Sequence, residues 1–448
     1  MRADLRLALL LTRGSDRREW WRVTLTGVGA ALATGFALAA VAVTSLRGQH
    51  RISFADGLLD RPGERSGVVL TLLLLLIPVL GFLGQCARIG AVHRDRRLAG
   101  LRLAGAAPGQ VRRIAALEAG LACLAGSATA TVFCVLLMSR LWDDPPATAW
   151  AGTALVAVTV PVLGALVSAL ALRRVIASPL GWVRRVRPRT GRGPGFAFLA
   201  AMLTLVVVGL VMAPRTFGGF STVPVTAFGV VIVTGTGAVW LTAATARLMG
   251  RLLAARTGNP AVLLAAERLR DDPWATARTH AAVLLVTVVG TGFVGIRQTL
   301  LDSLTDRGSG TLAEDASFYT TGADLAGAAV LVALAITLSA LAVGTAESLA
   351  TRRRGLAAQV AAGVPRGVLG RALLLETALP LAPAVLLAGV GGITLGGWYA
   401  VLSEDGGSAV PLSPLLVPPA VYLCCLLAAA TSLPLLRRSV HPAELRFA

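Results

Sequence analysis

The sequence predicts an all-α polytopic membrane protein of about ten transmembrane helices, built as two four-helix units joined by a two-helix hairpin. Three observations predict it. Mean hydropathy is +0.73 and 55% of residues are hydrophobic, above the ~45–50% apolar content of soluble domains. The apolar residues come in runs of about 20, the length a helix needs to cross a bilayer. And the segment Arg94–Glu118 recurs as Arg352–Glu376: at a constant offset of 258 residues, ten of 25 positions are identical. A chain this rich in Ala, Leu and Arg gives about two or three matches by chance, so the match indicates an internal duplication.

Taken in order, the predicted spans are 23–46, 68–87, 114–138, 150–172, 195–213, 225–246, 279–296, 325–346, 373–400 and 414–436. The first follows a polar leader with six Arg and is too long for the apolar core of a signal peptide, so it reads as a retained span. The fifth is short. The ninth is long and contains Pro380 and Pro383, which membrane helices tolerate where neighbours satisfy the freed carbonyls. Each half repeats the order span, outer loop, span, charged motif, span, outer loop, span. Each half also closes alike, with LRRVIASP from Leu172 and LRRSVHP from Leu436. The units are therefore 1–190 (spans one to four) and 259–448 (spans seven to ten), with 191–258 as the linking hairpin. Both units start on the same side, which makes a parallel repeat.

Arginine sets the orientation. The chain has 42 basic residues, all Arg, and 34 fall on the side of the N-terminus against eight on the other; its acids divide eleven to twelve. Orientation follows basic residues rather than net charge, so both termini are expected in the cytoplasm. The +19 charge belongs to this pattern. No basic patch is interleaved with aromatics, so no nucleic-acid partner is expected. The outer loops, the longest roughly 47–67 and 297–324, are too short to hold a core of their own.

The repeated motif is longer than a connection needs. In the first copy Gly105 and Pro108–Gly109 break the helix descending from span two, and a new helix begins near Pro108. The expected shape is a helix–turn–helix projection at the inner face, with Arg94 and Arg96 on its flank. The second copy repeats it with Arg352, Arg354, Gly363, Pro365 and Gly367; its proline is displaced by one position, so the two turns need not be identical. An ordinary positive-inside loop accounts for the arginines but not for the matched Gly, Arg and Glu positions. Glu118 and Glu376 fall near the start of spans three and nine, where an acid is costly unless paired. Arg113 and Arg371, five residues earlier, lie about 140° away around a helix, so the partners are expected on other helices. Each glutamate is either a structural ion pair at headgroup level or a latch that moves with the motif. Ahead of span seven, Val262, Leu263, Ala266 and Leu269 recur at helical spacing among Glu267, Arg268 and Arg270, which predicts an amphipathic helix along the inner interface.

Several chemistries are excluded. Without Lys there is no Walker A loop, no Schiff base and no Ser–Lys pair. The five Cys fall in or beside apolar spans with no zinc spacing, and the four His are scattered with no HExxH. No charge occupies the middle of a span, which disfavours a proton-coupled carrier. Neither catalysis nor a bound metal or cofactor is expected of this chain.

The doubled motif, LRLAGAAPGQVRRIAALEAG from Leu101 and AQVAAGVPRGVLGRALLLETA from Ala358, resembles the stretch after the second span of FtsX-like permeases, the membrane subunits of MacB- and BceB-type ABC transporters. The lead-in NPAVLLAAERLRDDPWATAR and the ending HPAELR are similar to those of the same family. The resemblance implies the ten-span form with two four-span units in a plasma membrane. It also implies that the loops carrying Arg94, Arg96, Gly105, Pro108, Gly109, Arg113 and Glu118, and Arg352, Arg354, Gly363, Pro365, Gly367, Arg371 and Glu376, seat on separate cytoplasmic ATPase subunits, two per chain. ATP would then be bound by the partner, and the cargo would be a membrane amphiphile: a lipid, a lipopeptide or an antimicrobial peptide. Relatives carry a large extracytoplasmic domain that this chain lacks, so their substrate-binding residues do not transfer. Two other readings stand beside this one: a secondary exporter that works without an ATPase, and a membrane sensor or scaffold partnered with a histidine kinase.

Overall fold

The computed structural model of this 448-residue chain describes residues 17–46, 57–60, 62–86, 100–101, 103–142, 145–171, 222–307, 315–402, 412–434 and 436. Among them there is no strand. The chain is an all-α, multi-pass membrane protein. Eight of its described helices are long and apolar enough to cross a bilayer, at Val23–Ser45, Gly109–Arg140, Ala147–Leu166, Gly229–Arg256, Thr279–Thr305, Ala316–Thr351, Arg366–Val401 and Ser413–Ala430. These coincide with eight of the ten predicted spans. The predicted second span falls in a helix over Pro62–Cys86 that carries a shorter apolar stretch, Gly67–Leu80. The predicted fifth span, 195–213, lies outside the described residues, as do Arg94, Arg96 and the repeated endings over 172–179 and 437–442.

The chain divides into two compact units, Met1–Pro188 and Arg189–Ala448. The first contains α1 (Arg17–Ser45), α2 (Pro62–Cys86), α3 (Pro108–Leu141) and α4 (Ala147–Ala171). Here α1 packs along α3, α2 and α4, and α3 packs on α4. The α1–α3 crossing is a backbone contact: a Cβ on Gly126 of α3 would sit 1.9 Å from the carbonyl oxygen of Gly27 in α1. Close approach through small residues is how membrane helices gain dispersion energy where no hydrophobic effect drives them together. At the amino-terminal end of α2, Arg65 is 4% exposed and donates to the carbonyls of Leu59, Leu46 and Asp60, so this buried cation ties the α1–α2 connection to the helix that follows it.

The second unit contains α5 (Thr222–Arg256), α6 (Pro260–Asp271), α7 (Pro273–Arg307), α8 (Ala316–Thr351), α9 (Arg353–Ala361), α10 (Arg366–Leu402), a 3₁₀ turn (Ser413–Leu416) and α11 (Val417–Ala430). The main packing is α7 along α10, the first and third spans of that repeat, as α1 and α3 are in the other unit. The core comprises Val283, Leu284 and Val288 of α7, Leu341 of α8, Leu381, Ala384, Val385 and Ala388 of α10, and Val421 and Cys425 of α11. Ala238 of α5 joins it, so the helix that the sequence places in the linking hairpin packs on α7 and α10.

Several helices run longer than the apolar segments that predict them: α7 covers 273–307 against a predicted 279–296, and α8 covers 316–351 against 325–346. Continuing the helix into the interface keeps the terminal backbone groups bonded, whereas hydrophobicity registers only the part inside the hydrocarbon. Helix α10 passes through Pro380 and Pro383 without a break. Beside them, Tyr422 of α11 donates its hydroxyl to the Ala378 carbonyl at 3.3 Å.

Candidate functional site: the paired helix–turn–helix projections

The second copy of the repeated motif folds as a helix, a turn and a helix, and the described residues of the first copy, helical at 100–101 and 103 and again from Pro108, follow the same order. In the second copy, α8 ends at Arg352, whose backbone N–H still bonds to the Ser348 carbonyl at 3.3 Å. Helix α9 follows and stops at Ala362, and Gly363 adopts φ +93°. The Gly363 N–H donates to Val360 and the Val364 N–H to Gln359, at 2.9 and 3.0 Å. This is a Schellman stop, in which a left-handed residue lets the next two amides satisfy the last carbonyls of the helix. Glycine is required because a side chain in that conformation presses on the following carbonyl. The first copy does the same, with Gly105 at φ +95° and the Ala106 N–H donating to Leu101 at 2.9 Å.

The turns then launch the next helix in register. The Ala107 carbonyl accepts from the amides of Gln110 and Val111 at 3.0 and 3.2 Å, and the Pro365 carbonyl accepts from those of Val368 and Leu369 at 3.0 and 3.3 Å. These positions correspond at the 258-residue offset. The displaced proline therefore does not change the turn. Pro108 occupies the first helical position and Pro365 the cap before it, and both sites suit a fixed φ and have no need of an N–H.

A small core holds the second projection. Leu349 of α8, Leu356 of α9, Leu369 of α10 and Leu436 form a buried cluster, with Val360, Val364 and Leu373 against it. Leu264 of α6 joins them, and α6 buries Ala261, Ala265, Ala266 and Leu269. The helix predicted to lie along the membrane interface thus packs its small-residue face on α5 and α10, while Leu263 remains 40% exposed. Asn259 caps it by accepting from the Ala261 amide at 3.0 Å. In the first projection the equivalents of Leu369 and Ala372, Val111 and Ile114, are likewise buried.

Glu376 holds the electrostatic centre of the second projection. Its Oε1 and Oε2 accept from Nη1 of Arg352 at 2.8 and 3.1 Å, and Oε2 also accepts from Nη1 of Arg268 at 3.3 Å. The Glu376 and Arg268 side chains are 17% and 18% exposed, and Arg352 is 39%. The partners lie on other elements: Arg352 caps α8 and Arg268 is on α6. The carboxylate thereby ties three parts of the unit, the end of a span, the helix ahead of α7 and the start of α10. Arg352 was a candidate from its place in the motif. Arg268 was missed as a partner because it is 108 residues away from Glu376; the signal available was an interfacial acid in need of a cation. Glu118, at the matching position, is 3% exposed.

The rest of the motif faces outward. Gly105, Gly109 and Arg113 are exposed in one copy, and Gly363, Pro365, Gly367 and Arg371 in the other. The side chains of Pro108 and Arg354 are not among the described ones. Leu103, on the first projection, is 79% exposed. A Cβ on Gly109 or Gly367 would meet nothing within 4 Å, so no contact among the described residues requires glycine at either position. The structure brings Arg352, Gly363, Pro365, Gly367, Arg371 and Glu376 into one projection and Gly105, Pro108, Gly109, Arg113 and Glu118 into the other. No protein-family model and no curated protein matches the chain.

Proposed function

We propose that this chain is the membrane subunit of an ABC transporter, in the ten-span, two-unit form of the FtsX-like permeases, and that its two projections are the seats for separate cytoplasmic ATPase subunits. ATP is bound and hydrolysed by those partners, and closure of the ATPases presses on the projections to move an amphiphile such as a lipid, a lipopeptide or an antimicrobial peptide out of a plasma membrane. In this reading both termini are cytoplasmic.

The observation that carries the proposal is the duplicated turn. Four backbone hydrogen bonds and a left-handed glycine are reproduced 258 residues apart, on elements that a plain inter-span loop does not need. The second projection is braced to α6, α8 and α10 by its leucine cluster and by Glu376, so a force on its tip reaches the spans instead of being absorbed in the turn. The unexplained exposed glycines suit a partner surface that approaches the backbone closely.

The test is co-purification with a cytoplasmic ATPase, followed by replacement of 105–109 and 363–367 with unrelated polar linkers. Loss of assembly, or of transport-coupled ATP hydrolysis, is the expected result. Unchanged coupled activity refutes the seat, and export driven by an ion gradient without ATP transfers the chain to the secondary exporters.

A further inference from the structure

We infer that the carboxyl-terminal end of α5 is a binding face for an anionic phospholipid headgroup. Three arginines, Arg247, Arg251 and Arg256, occupy the last ten residues of that helix, directly after its apolar stretch ends. Helix α5 contains no Asp or Glu. Arg251 and Arg256 are exposed and Arg247 is half-buried, and among the described residues none of the three has an ion-pair partner. Several other arginines of this unit are compensated, Arg268 and Arg352 by Glu376, Arg270 by Glu267 and Arg297 by Asp324, whereas the α5 end gathers three without an acid on its own helix.

The same surface is apolar between the charges. Leu248 is 56% exposed and Leu252 is 45% exposed. At 100° per residue the three arginines and two leucines fall within one half of the helix circumference, with Gly250 on the other half. That other half is closed by protein, since a Cβ on Gly250 would lie 2.8 Å from the Ala266 carbonyl oxygen and 2.9 Å from the Arg270 nitrogen in α6. The tight α5–α6 crossing therefore fixes which face of α5 turns outward. A surface of exposed leucines with three uncompensated guanidiniums, spread over ~14 Å at the end of a span, matches an acyl chain topped by a phosphate. The leucines take the acyl region; Arg247 and Arg251, about 40° and ~6 Å apart on the helix, are placed to fork one headgroup phosphate, and Arg256, at the opposite edge of the face, meets a neighbouring headgroup. An aqueous partner does not account for the leucines.

The inference rests on α5 being a membrane span and not on the transporter reading, so the two fail separately. The experiment uses the full chain, purified without any ATPase, with lipid retention counted by native mass spectrometry after exchange into mixed phosphatidylglycerol and phosphatidylcholine. Wild type is expected to keep phosphatidylglycerol preferentially. The triple variant Arg247→Gln, Arg251→Gln, Arg256→Gln should lose that preference by on the order of tenfold or more, and the corresponding triple Lys variant should keep most of it. If the triple Gln variant does not fold, the single Arg256→Gln variant should show a partial loss. Equal retention of both lipids by wild type overturns the inference, as does full retention by the Gln variants.

Discussion

Removing the charge of Glu376 without removing its shape tests whether the second projection is braced as described. In Glu376→Gln two guanidiniums, previously 2.8–3.3 Å from the carboxylate oxygens, are left facing each other with a single neutral acceptor. A unit-charge pair at ~4 Å in an effective dielectric of ~20 attracts by about 4 kcal/mol before desolvation and side-chain entropy are subtracted. Exposed pairs retain only about 0–1 kcal/mol of this, and breaking a fully buried pair costs about 3–5 kcal/mol. Glu376 and Arg268 lie near the buried end at 17% and 18% exposure, whereas Arg352, at 39%, is discounted for solvent. The expected loss is about 1.5–3 kcal/mol. Arg268→Gln leaves the Arg352 contact in place and should cost only about 0.5–1 kcal/mol. The assay is unfolding of the detergent-solubilised chain, run as a double-mutant cycle. Because both variants act through one carboxylate, their effects should add to more than the double variant loses. A Glu376→Gln variant within about 0.3 kcal/mol of wild type, or strict additivity in the cycle, refutes the triad as a brace.

Other outcomes follow from the same geometry. Gly363→Ala and Gly105→Ala each place a Cβ in the left-handed region and should cost about 1–2 kcal/mol, measured in the same unfolding assay. Gly109→Ala and Gly367→Ala meet open space and should leave stability within about 0.5 kcal/mol of wild type; if a partner seats there, they should weaken ATPase co-purification while the chain remains folded. Gly126→Ala drives a methyl into the Gly27 carbonyl and forces α1 from α3, with an expected cost of about 1–3 kcal/mol or more, seen as lost folded yield. Tyr422→Phe removes one hydrogen bond to the proline-containing stretch of α10 and should cost about 0.5–1.5 kcal/mol.

Much of the fold was legible because a bilayer leaves a sequence few choices. Runs of about 20 apolar residues must be helices, and eight of them are. The turn was legible through its glycines, because only glycine fits the φ of +95° and +93° and the duplication marked both. The proline was less informative than it looked: Pro108 and Pro365 stand one position apart in the repeat, yet both fit the start of a helix, so their displacement suggested a difference that the hydrogen bonds do not show. The burial of α6 was legible in part: Ala266 and Leu269 of the predicted apolar set are buried and Leu263 is 40% exposed, because only close packing distinguishes the alanines that fit against α5 from the leucine that stays outside. The Arg268–Glu376 contact was illegible for a different reason. Spacing reports neighbours on one helix, and this pair is brought together by the packing of α6 on α10.

The central claim is that both projections are gripped from the cytoplasm by an ATPase. A photo-cross-linking amino acid placed in turn at Leu103 and Ala361, both on the exposed projections, tests it most directly in intact membranes. The account expects each position to capture an ATP-binding subunit. Capture of lipid alone at both sites, or labelling of either site by a reagent confined to the exterior, would contradict it.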